Sequence, residues 1–373
     1  MKNRGAVNAA IVVLAVLVKV AASGEPVQVV PSSLVGDAQQ PQATVDEKGT
    51  IYVVFGSQDT IYCSASTDGG KTYREPVVVS HGKALYLGMR RGPRIAATTK
   101  AIVVTAIIGK IGGGQDGDLR AWRSTDGGAT WKGPSKVSNV TGSAREGLHG
   151  MAAGRDGQLC CTWLDLRNRR TEVFASVSDD GGLTWKANRR VYRSPSGSVC
   201  ECCHPSVAYD ADGGLCVMWR NSLEGFRDMY AARSPDSGAT FAAAEKLGTG
   251  TWQLDHCPMD GGALTVTRKG KRVISVSRRD KEVIGTVSNR EVSFGAGEQP
   301  WAASVGDQAY VVWVSQRHGD LWLRSPKNQT ALKLAEGASD PVVAAPLEGK
   351  GPVVVVWESG KHGCATVMAQ VVE

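Results

Sequence analysis

The sequence predicts an all-β protein built from one repeated unit, and three observations support that prediction. A motif of the form Ser-x-Asp-x-Gly-x-Thr followed by an aromatic residue occurs four times, with its aspartates 58, 54 and 56 positions apart. A short apolar run rich in Val and Ile occurs seven times, and most copies end in an aromatic residue. Runs of this kind, bounded by Gly, Pro, Asn and Asp, are typical of strands, and nothing after residue 23 has sustained helical periodicity.

The four copies of the motif are predicted to be structural turns. Their aspartates are Asp68, Asp126, Asp180 and Asp236, and their closing aromatic residues are Tyr73, Trp131, Trp185 and Phe241. An aspartate side chain can accept backbone N–H bonds across a tight turn, and glycine adopts positive φ there at little cost. The aromatic residue can be buried where two sheets meet. We therefore place each motif between the third and fourth strands of a sheet.

The seven apolar runs define the length of the unit. They cover residues 51–55, 101–107, 159–163, 215–219, 272–276, 309–313 and 353–357. The segments before them open at Pro41, Pro93, Gly150, Pro205, Pro258, Pro300 and Pro341. The unit is about 55 residues long at first and about 41 later. Four strands fit in that length, and twisted four-stranded sheets repeated around an axis make a β-propeller.

The predicted fold class is therefore a single all-β propeller over residues 24–373, with seven four-stranded blades, or six if one weak unit is not a blade. The strands of the second unit are expected near residues 93–97, 101–107, 118–124 and 133–138. The last unit shows only three strands. Its outer strand is expected from the segment PVQVV at residues 26–30, which would close the ring.

Residues 1–23 are predicted to be a cleaved secretory signal peptide. Lys2 and Arg4 precede an apolar run, and Lys19 ends that run before it is long enough to span a membrane comfortably. The protein is therefore expected to be exported, either periplasmic or secreted, with no stable membrane insertion. Cleavage removes three of the 43 basic residues against 36 acidic ones, which lowers the formal net charge from +7 to +4. So small a charge, without a basic run, argues against a nucleic-acid partner.

The aspartate motif at this spacing resembles the Asp-box of the sialidase superfamily. The resemblance covers the first four units by motif and the rest by strand pattern, and it implies an Asp-box, or BNR-repeat, β-propeller. Sialidases of this family bind a substrate carboxylate with three arginines and use an aspartate acid/base and a tyrosine nucleophile paired with a glutamate. Their first arginine lies in a Phe-Arg-Ile-Pro segment. The corresponding segment here is GPRIAA, without the Phe and the final Pro.

The resemblance implies candidate catalytic residues. Arg94 corresponds to the first arginine, and Asp116 or Asp118 corresponds to the acid/base. Glu146 and Tyr230 are the candidates for the glutamate and the tyrosine. Guanidinium groups bind a carboxylate in a bidentate manner, and the tyrosine attacks only when a neighbouring carboxylate takes its proton. The implied activity is that of an exo-α-sialidase-like glycoside hydrolase.

Further polar residues are expected around one mouth of the ring, where loops of successive units converge. The candidate ligand-binding residues are Arg145, His149, Asp165, Arg167, His204, Arg220, Asn221, Arg227, Asp228 and Arg279. Such groups suit a carbohydrate or another polar or anionic small molecule. The alternative is that they form salt bridges between blades.

Nine cysteines are many for an exported chain, and the number is odd. A cluster of sulfur and imidazole groups precedes two of the segment openings; its members are Cys200, Cys202, Cys203, His204, His256 and Cys257. Thiolate and imidazole ligands suit copper or zinc. In an exported protein, a disulfide from one of residues 200–203 to Cys257 is the favoured interpretation. Cys160 and Cys216 align within second strands and are expected to be buried apolar residues.

Two hypotheses for the function follow. The first is an exported, monomeric sialidase-like propeller that binds, and hydrolyses, a glycan at its axial face without a required cofactor. The second is a non-catalytic propeller that binds a ligand or serves as an assembly scaffold, with a copper or zinc ion at the cysteine and histidine cluster.

Overall fold

The structure is a computed structural model, and it describes residues 24–373 except 83, 112–114, 145–146, 268–271, 348–350 and 362. The predicted signal peptide, residues 1–23, lies outside the described residues. Over those that are described the chain forms strands and turns and no helix, which confirms the all-β prediction. Accordingly, that part of the chain offers no apolar helix of membrane-spanning length.

The strands are short, and most have five to seven residues. In chain order they are β1 Val27–Gln28, β2 Gln39–Val45, β3 Ile51–Ser57, β4 Thr60–Ser66, β5 Val77–His81, β6 Arg94–Ala97, β7 Ile102–Ile108, β8 Asp118–Ser124, β9 Lys132–Lys136, β10 His149–Ala153, β11 Leu159–Asp165, β12 Glu172–Ser178, β13 Arg189–Tyr192, β14 Ser206–Tyr209, β15 Leu215–Arg220, β16 Met229–Ser234, β17 Glu245–Lys246, β18 Ala263–Val266, β19 Val273–Arg279, β20 Glu282–Val287, β21 Arg290–Ala296, β22 Glu298–Val305, β23 Gln308–Val314, β24 Gly319–Ser325, β25 Asn328–Ala344, β26 Val354–Ser359 and β27 Thr366–Val371. In the second unit, β6 to β9 confirm the strands expected from the sequence.

Consecutive strands pair antiparallel into sheets. Five sheets have four strands each, namely β2–β5, β6–β9, β10–β13, β14–β17 and β18–β21. The sixth has seven strands, in the order β1, β27, β26, β25, β24, β23, β22. Strand β25 belongs to two groups of strands. Its residues 328–338 pair with β24, and its residues 338–344 pair with β26. The N-terminal strand β1 pairs with β27, as the sequence predicts for residues 26–30.

The first strands of the successive groups lie side by side around one cavity. Strand β2 contacts β6 and β25, and the contacts continue through β10, β14, β18 and β22 to β25. The cavity has a volume of about 230 Å³ and is lined by residues from all seven of these strands. We call it the axial cavity. The face of the molecule at which these strands begin is the axial face.

Apolar side chains of the second strands fill the space between neighbouring sheets. Trp163, Trp219 and Trp357 are fully buried there. Burial of a large aromatic side chain removes on the order of 150–250 Å² from water, so these residues dominate the contacts between sheets. The sheets are thus held together by apolar packing, which leaves the polar starts of the first strands at the axial face.

The Asp-box turns lie between third and fourth strands, as predicted. In the second copy, Asp126 accepts hydrogen bonds from the Thr130 backbone N–H at 2.9 Å and from the Ser124 hydroxyl at 2.7 Å. The Thr130 hydroxyl also donates to Asp126, and these bonds hold the pKa of the carboxyl well below its usual range. The closing aromatic residues pack against the cores between sheets. The motifs are therefore structural.

One segment opening differs from the prediction. Strand β18 begins at Ala263, five residues after Pro258, so His256 and Cys257 belong to an exposed loop rather than to the start of a first strand. Gly261 lies beside His204 instead. A Cβ on Gly261 would stand 2.1 Å from the His204 carbonyl oxygen, so only glycine fits this close approach.

Candidate functional site

The residues that precede three first-strand prolines have an unusual backbone conformation. Gln40, Gln299 and Asp340 have φ values of 55°, 56° and 48°, although none is glycine and each is followed by proline. Such conformations are costly and cluster at functional sites. A Gln-Pro or Asp-Pro pair was visible in the sequence at three of the seven segment openings and would have identified these residues.

Reciprocal hydrogen bonds hold two of these residues in place. The Gln299 side-chain amide donates to Asp340 Oδ1 at 2.9 Å, and the Asp340 backbone N–H donates to Gln299 Oε1 at 2.8 Å. The Gln299 backbone N–H donates to Asp260 Oδ2 at 2.8 Å. All three side chains are buried. The start of β22 and the last part of β25, which pairs with β26, are thus joined to the loop before β18.

Arg90, in the loop before β6, reaches the same place from a distant part of the chain. Its two terminal nitrogens donate to the carbonyl oxygens of Pro341 at 2.9 Å and Gln299 at 2.5 Å. Its Nε lies 3.6 Å from Asp340 Oδ1, and its guanidinium carbon lies 5.1 Å from the centre of the Trp301 ring. Arg94, the predicted substrate arginine, is also buried and donates to the carbonyl oxygens of Arg90 and Pro93. Both guanidinium groups therefore lie at the axial face.

Two carboxyl groups at this face have contrasting environments. Asp340 forms ion pairs with Arg90 and Arg317, the latter with a distance of 3.2 Å between Nη1 and Oδ2. Glu358 follows Trp357 on β26 and accepts hydrogen bonds only from Gln40 in the described structure, at 2.5 and 3.1 Å. Burial, together with the charge of Asp340, raises the pKa of Glu358 to about 8. Glu358 pairs across the strands with Ser339, the neighbour of Asp340, so the two carboxyl groups lie close together. At neutral pH one of them, Glu358, is therefore protonated, while the other, Asp340, is ion-paired.

His149 and His204 are fully buried beside the arginines. A ring nitrogen of His149 lies 3.0 Å from the Thr105 hydroxyl, and His204 Nε2 donates to the Gly262 carbonyl oxygen at 2.8 Å. The His204 ring stacks on Trp301. Burial and the charge of Arg94 lower the pKa of both histidines well below 6.5, so both rings are neutral. Within the described part of the chain, the Nδ1 atom of each has no hydrogen-bond partner.

The residues implied by the sialidase resemblance lie in several places. Asp116 accepts the backbone N–H groups of Lys110 and Ile111 at 2.8 and 3.0 Å and so closes its own loop. Tyr230 lies opposite Trp219 on β16, the third strand of its sheet, and packs against the apolar core. Arg145 and Glu146 lie outside the described residues. Of the members of this group that the structure describes, Arg94 alone is placed in the axial network of Arg90 and Asp340.

The remaining predicted ligand-binding residues have protein partners. Arg167 forms a bidentate pair with buried Asp165, with two distances of 2.8 Å, and Arg279 pairs with Glu291. Arg220 donates to the carbonyl oxygens of Arg227, Asp260 and Arg278. The other three have polar contacts as well: Asp228 pairs with Lys246, Asn221 donates to Tyr192, and Arg227 donates to the Leu254 carbonyl oxygen at 3.3 Å. Each of the ion pairs Asp165–Arg167 and Arg279–Glu291 joins residues of a single four-stranded unit, so neither is a salt bridge between blades. Arg220 does link its sheet to the next one, but through carbonyl oxygens rather than through a salt bridge.

Four cysteines meet beside the start of β14. Cys202 and Cys257 form a disulfide, which confirms the predicted link between residues 200–203 and Cys257. The Sγ atoms of Cys200, Cys202 and Cys203 lie 3.6 to 3.9 Å apart. The hydrogen bond between the Cys200 and Cys203 thiols and the charges of Arg220 and Arg227 lower the pKa of Cys200 to about 7. Cys160 and Cys216 are buried core residues, as expected.

Similar solved structures show which fold this chain has. An α-L-arabinanase of Penicillium chrysogenum complexed with arabinobiose has a TM-score of 0.53 and 14% identity, over 94% of this chain and 98% of its own. A leech intramolecular trans-sialidase has a TM-score of 0.55 and 12% identity, over 94% and 70%. Virginiamycin B lyase of Staphylococcus aureus has a TM-score of 0.53 and 13% identity, over 93% and 99%. Their fold is the β-propeller, and this chain shares it.

The sequence itself identifies the family. Residues 90–330 match the BNR repeat-like domain, and the chain belongs to that family. The predicted relationship to Asp-box propellers is thereby confirmed. No curated protein matches the chain significantly.

Proposed function

We propose that this protein is an exported propeller of seven blades that binds a glycan at its axial face and hydrolyses a glycosidic bond there. The observation that carries the proposal is the pair of carboxyl groups Asp340 and Glu358 beside Arg90 and Arg317. One carboxyl is ion-paired and the other is protonated at neutral pH, as acid/base cleavage of a glycosidic bond requires. The similar arabinanase and trans-sialidase structures hold sugar ligands, which supports a glycan as the substrate class.

The way the strands are grouped supports a count of seven blades. Five four-stranded sheets account for β2 to β21, and β22 to β25 make a sixth group. The seventh consists of the end of β25 with β26, β27 and β1, so that β1 closes the ring. The contact of β25 with β2, and the single cavity lined by all seven first strands, support this count over six.

The proposed chemistry assigns a role to each group of the pair. Glu358 donates its proton to the glycosidic oxygen, so that the leaving sugar departs as a neutral alcohol. Asp340 takes a proton from water, or attacks the anomeric carbon directly, on the other side of the bond that breaks. Arg317, whose side chain is 37% exposed, is where this network meets solvent and can contact an anionic sugar. Arg94 supports the site from below through Arg90.

The test uses a panel of fluorogenic glycosides, beginning with sialosides and arabinosides. We expect turnover of at least one member, and a fall in kcat of about 100-fold or more in Glu358→Gln, the size typical for loss of a general acid. Asp320→Asn, at a carboxylate on β24 that pairs with Lys333 on the adjacent strand β25, is the matched control and should retain activity. Full activity of Glu358→Gln would overturn the assignment of the acid.

A second candidate function is a non-catalytic propeller that only binds its ligand. It is favoured by one observation, which is that the guanidinium groups of Arg90, Arg94 and Arg220 are directed at backbone carbonyl oxygens of the protein itself. Groups used in this way stabilise loops. Saturable binding of a glycan without turnover of any member of the panel would establish this alternative and exclude the hydrolase.

A further inference from the structure

We infer that Cys200, Cys202, Cys203 and Cys257 form a binding site for a thiophilic metal ion, Zn²⁺ or Cu⁺, in the form of the protein whose Cys202–Cys257 disulfide is reduced. This site is separate from the proposed hydrolytic pair. The distances between the sulfur atoms, the burial of the cysteines and the charge of their surroundings each support the inference.

The sulfur atoms already have the spacing of a thiolate metal site. The distances are 3.6 Å between Cys200 and Cys203, 3.8 Å between Cys200 and Cys202, and 3.9 Å between Cys202 and Cys203. A tetrahedral zinc ion with Zn–S bonds of about 2.3 Å separates its sulfur ligands by about 3.8 Å. One ion above this triangle of sulfurs could bond to all three with little movement. A trigonal Cu⁺ ion has the same ligand preference.

Reduction of the disulfide frees the Cys257 thiol, which becomes the fourth ligand beside the other three sulfurs. An external dithiol would transfer two electrons to the Cys202–Cys257 bond, becoming a disulfide itself and leaving two thiols on the protein. Cys257 is exposed, so the reductant can reach it, whereas Cys200 and Cys203 are buried. The metal then displaces the thiol protons into solvent. The bonded and metal-bound forms therefore exclude one another.

The surroundings suit an anionic metal–thiolate centre. Four thiolates around Zn²⁺ carry a net charge of −2, and the strand beside the cluster, β15, ends in the basic residue Arg220. The backbone N–H of Cys200 donates to the Arg220 carbonyl oxygen at 3.1 Å, which fixes the loop against β15. The Cys202–Cys257 disulfide accounts for only two of the four clustered cysteines, so it does not explain why Cys200 and Cys203 lie beside it. The buried thiols of Cys63, Cys160 and Cys216, by contrast, lie within strands as ordinary core residues.

The experiment compares the full mature chain under reducing and oxidising conditions. We expect the reduced protein to bind one Zn²⁺ or one Cu⁺ per chain, counted by elemental analysis and native mass spectrometry, and the oxidised protein to bind at least 10-fold more weakly. Co²⁺ in place of Zn²⁺ should give the thiolate charge-transfer and tetrahedral d–d absorption bands. Cys203→Ser should lower the affinity by roughly 10-fold or more. Cys364→Ser, at an exposed cysteine elsewhere, is the control and should bind as the wild type does.

A second measurement guards against misfolding of the Cys203→Ser variant. In the wild-type reduced chain, one equivalent of Zn²⁺ should protect four cysteines from alkylation, as mapped by mass spectrometry, while circular dichroism stays unchanged. Reduced protein that binds no stoichiometric metal, or that alkylates equally with and without Zn²⁺, would overturn the inference.

Discussion

At the scale of single residues, the axial face is dominated by groups that are costly to bury. Gln299 and Asp340 hold each other in a left-handed backbone conformation, and Glu358 keeps its proton because it has little access to water. A buried polar group without enough hydrogen bonds, or a strained backbone, lowers the stability of the fold, and other interactions must offset that loss. This combination distinguishes the region from ordinary core and is the basis on which we propose a site there.

Glu358 makes the stability of the protein depend on pH in a predictable direction. Its pKa is about 8 in the folded protein against 4.5 for an ordinary glutamate, so between these values the unfolded chain loses a proton that the folded protein keeps. Folding stability therefore falls as the pH rises from about 4.5 to 8, by at most about 1.4 kcal/mol per pH unit for this one group. In Glu358→Gln this contribution disappears while the acceptor for Gln40 remains.

We expect urea unfolding to give a smaller loss of stability between pH 5 and pH 8 for Glu358→Gln than for the wild type. The exposed residue Glu336, changed to Gln, is the control and should leave the pH profile unaltered. An identical slope for wild type and Glu358→Gln would show that the carboxyl is not protonated in the folded protein.

At the scale of the element, the turn type explains why the repeated unit changes length. The first four sheets carry Asp-box turns between their third and fourth strands. In the fifth, β20 and β21 are joined by Ser288 and Asn289 alone, both with positive φ, which is the geometry of a two-residue hairpin. In the next group, Pro326 and Lys327 alone separate β24 from β25. The later units are shorter because these hairpins replace the longer Asp-box loop.

The Asp-box turn itself can be tested by Asp126→Ala. The substitution removes the acceptor for the Thr130 N–H, the Thr130 hydroxyl and the Ser124 hydroxyl, while it leaves the apolar core unchanged. We expect a fall of a few degrees in the melting temperature, measured by calorimetry, with little change in any ligand binding. Glu75→Ala, at an exposed position outside the motifs, should melt as the wild type does. A loss of glycan binding without a change in melting temperature would contradict the structural role.

At the scale of the whole molecule, the first and last strands that the structure describes meet in one sheet. Strand β1 pairs with β27, and the Val29 backbone N–H donates to the Val367 carbonyl oxygen at 2.9 Å. Val29 and Val30 are buried in the same core as Val354 and Val367. Under the proposed seven-bladed closure, the N-terminal segment joins the last blade to the rest of the chain, so its packing affects the whole domain.

Truncation of that segment's side chains tests the closure. We expect Val29→Ala and Val30→Ala each to lower the free energy of unfolding by about 1–3 kcal/mol, the cost of losing buried methyl groups. Chemical denaturation should remain a single transition, because the blades unfold together. Val78→Ala, at a position 40% exposed, is the control and should have a small effect. An unaltered stability in both variants would argue against a ring that β1 closes.

Much of this architecture could be predicted because its causes are local. The hydrogen bonds of an Asp-box join residues four apart, as in Asp126 and Thr130, and the apolar alternation that makes a strand needs only a few neighbours. The disulfide could be predicted in part, since the expected export favours a bond between one of residues 200–203 and Cys257. The opening at Pro258 was placed wrongly, because a proline alone does not reveal how many loop residues separate it from its strand.

The sequence by itself therefore determined the strands, the turns, the repeat and the class of fold. Only the tertiary structure decided that Arg90 donates to Pro341, which lies 251 positions away, and that Asp340 and Glu358 share one buried environment. The physical reason is the distance along the chain between the residues that interact. A turn is stabilised by atoms that the chain holds close together in any case, whereas the axial site exists only where the starts of distant strands are gathered at one face.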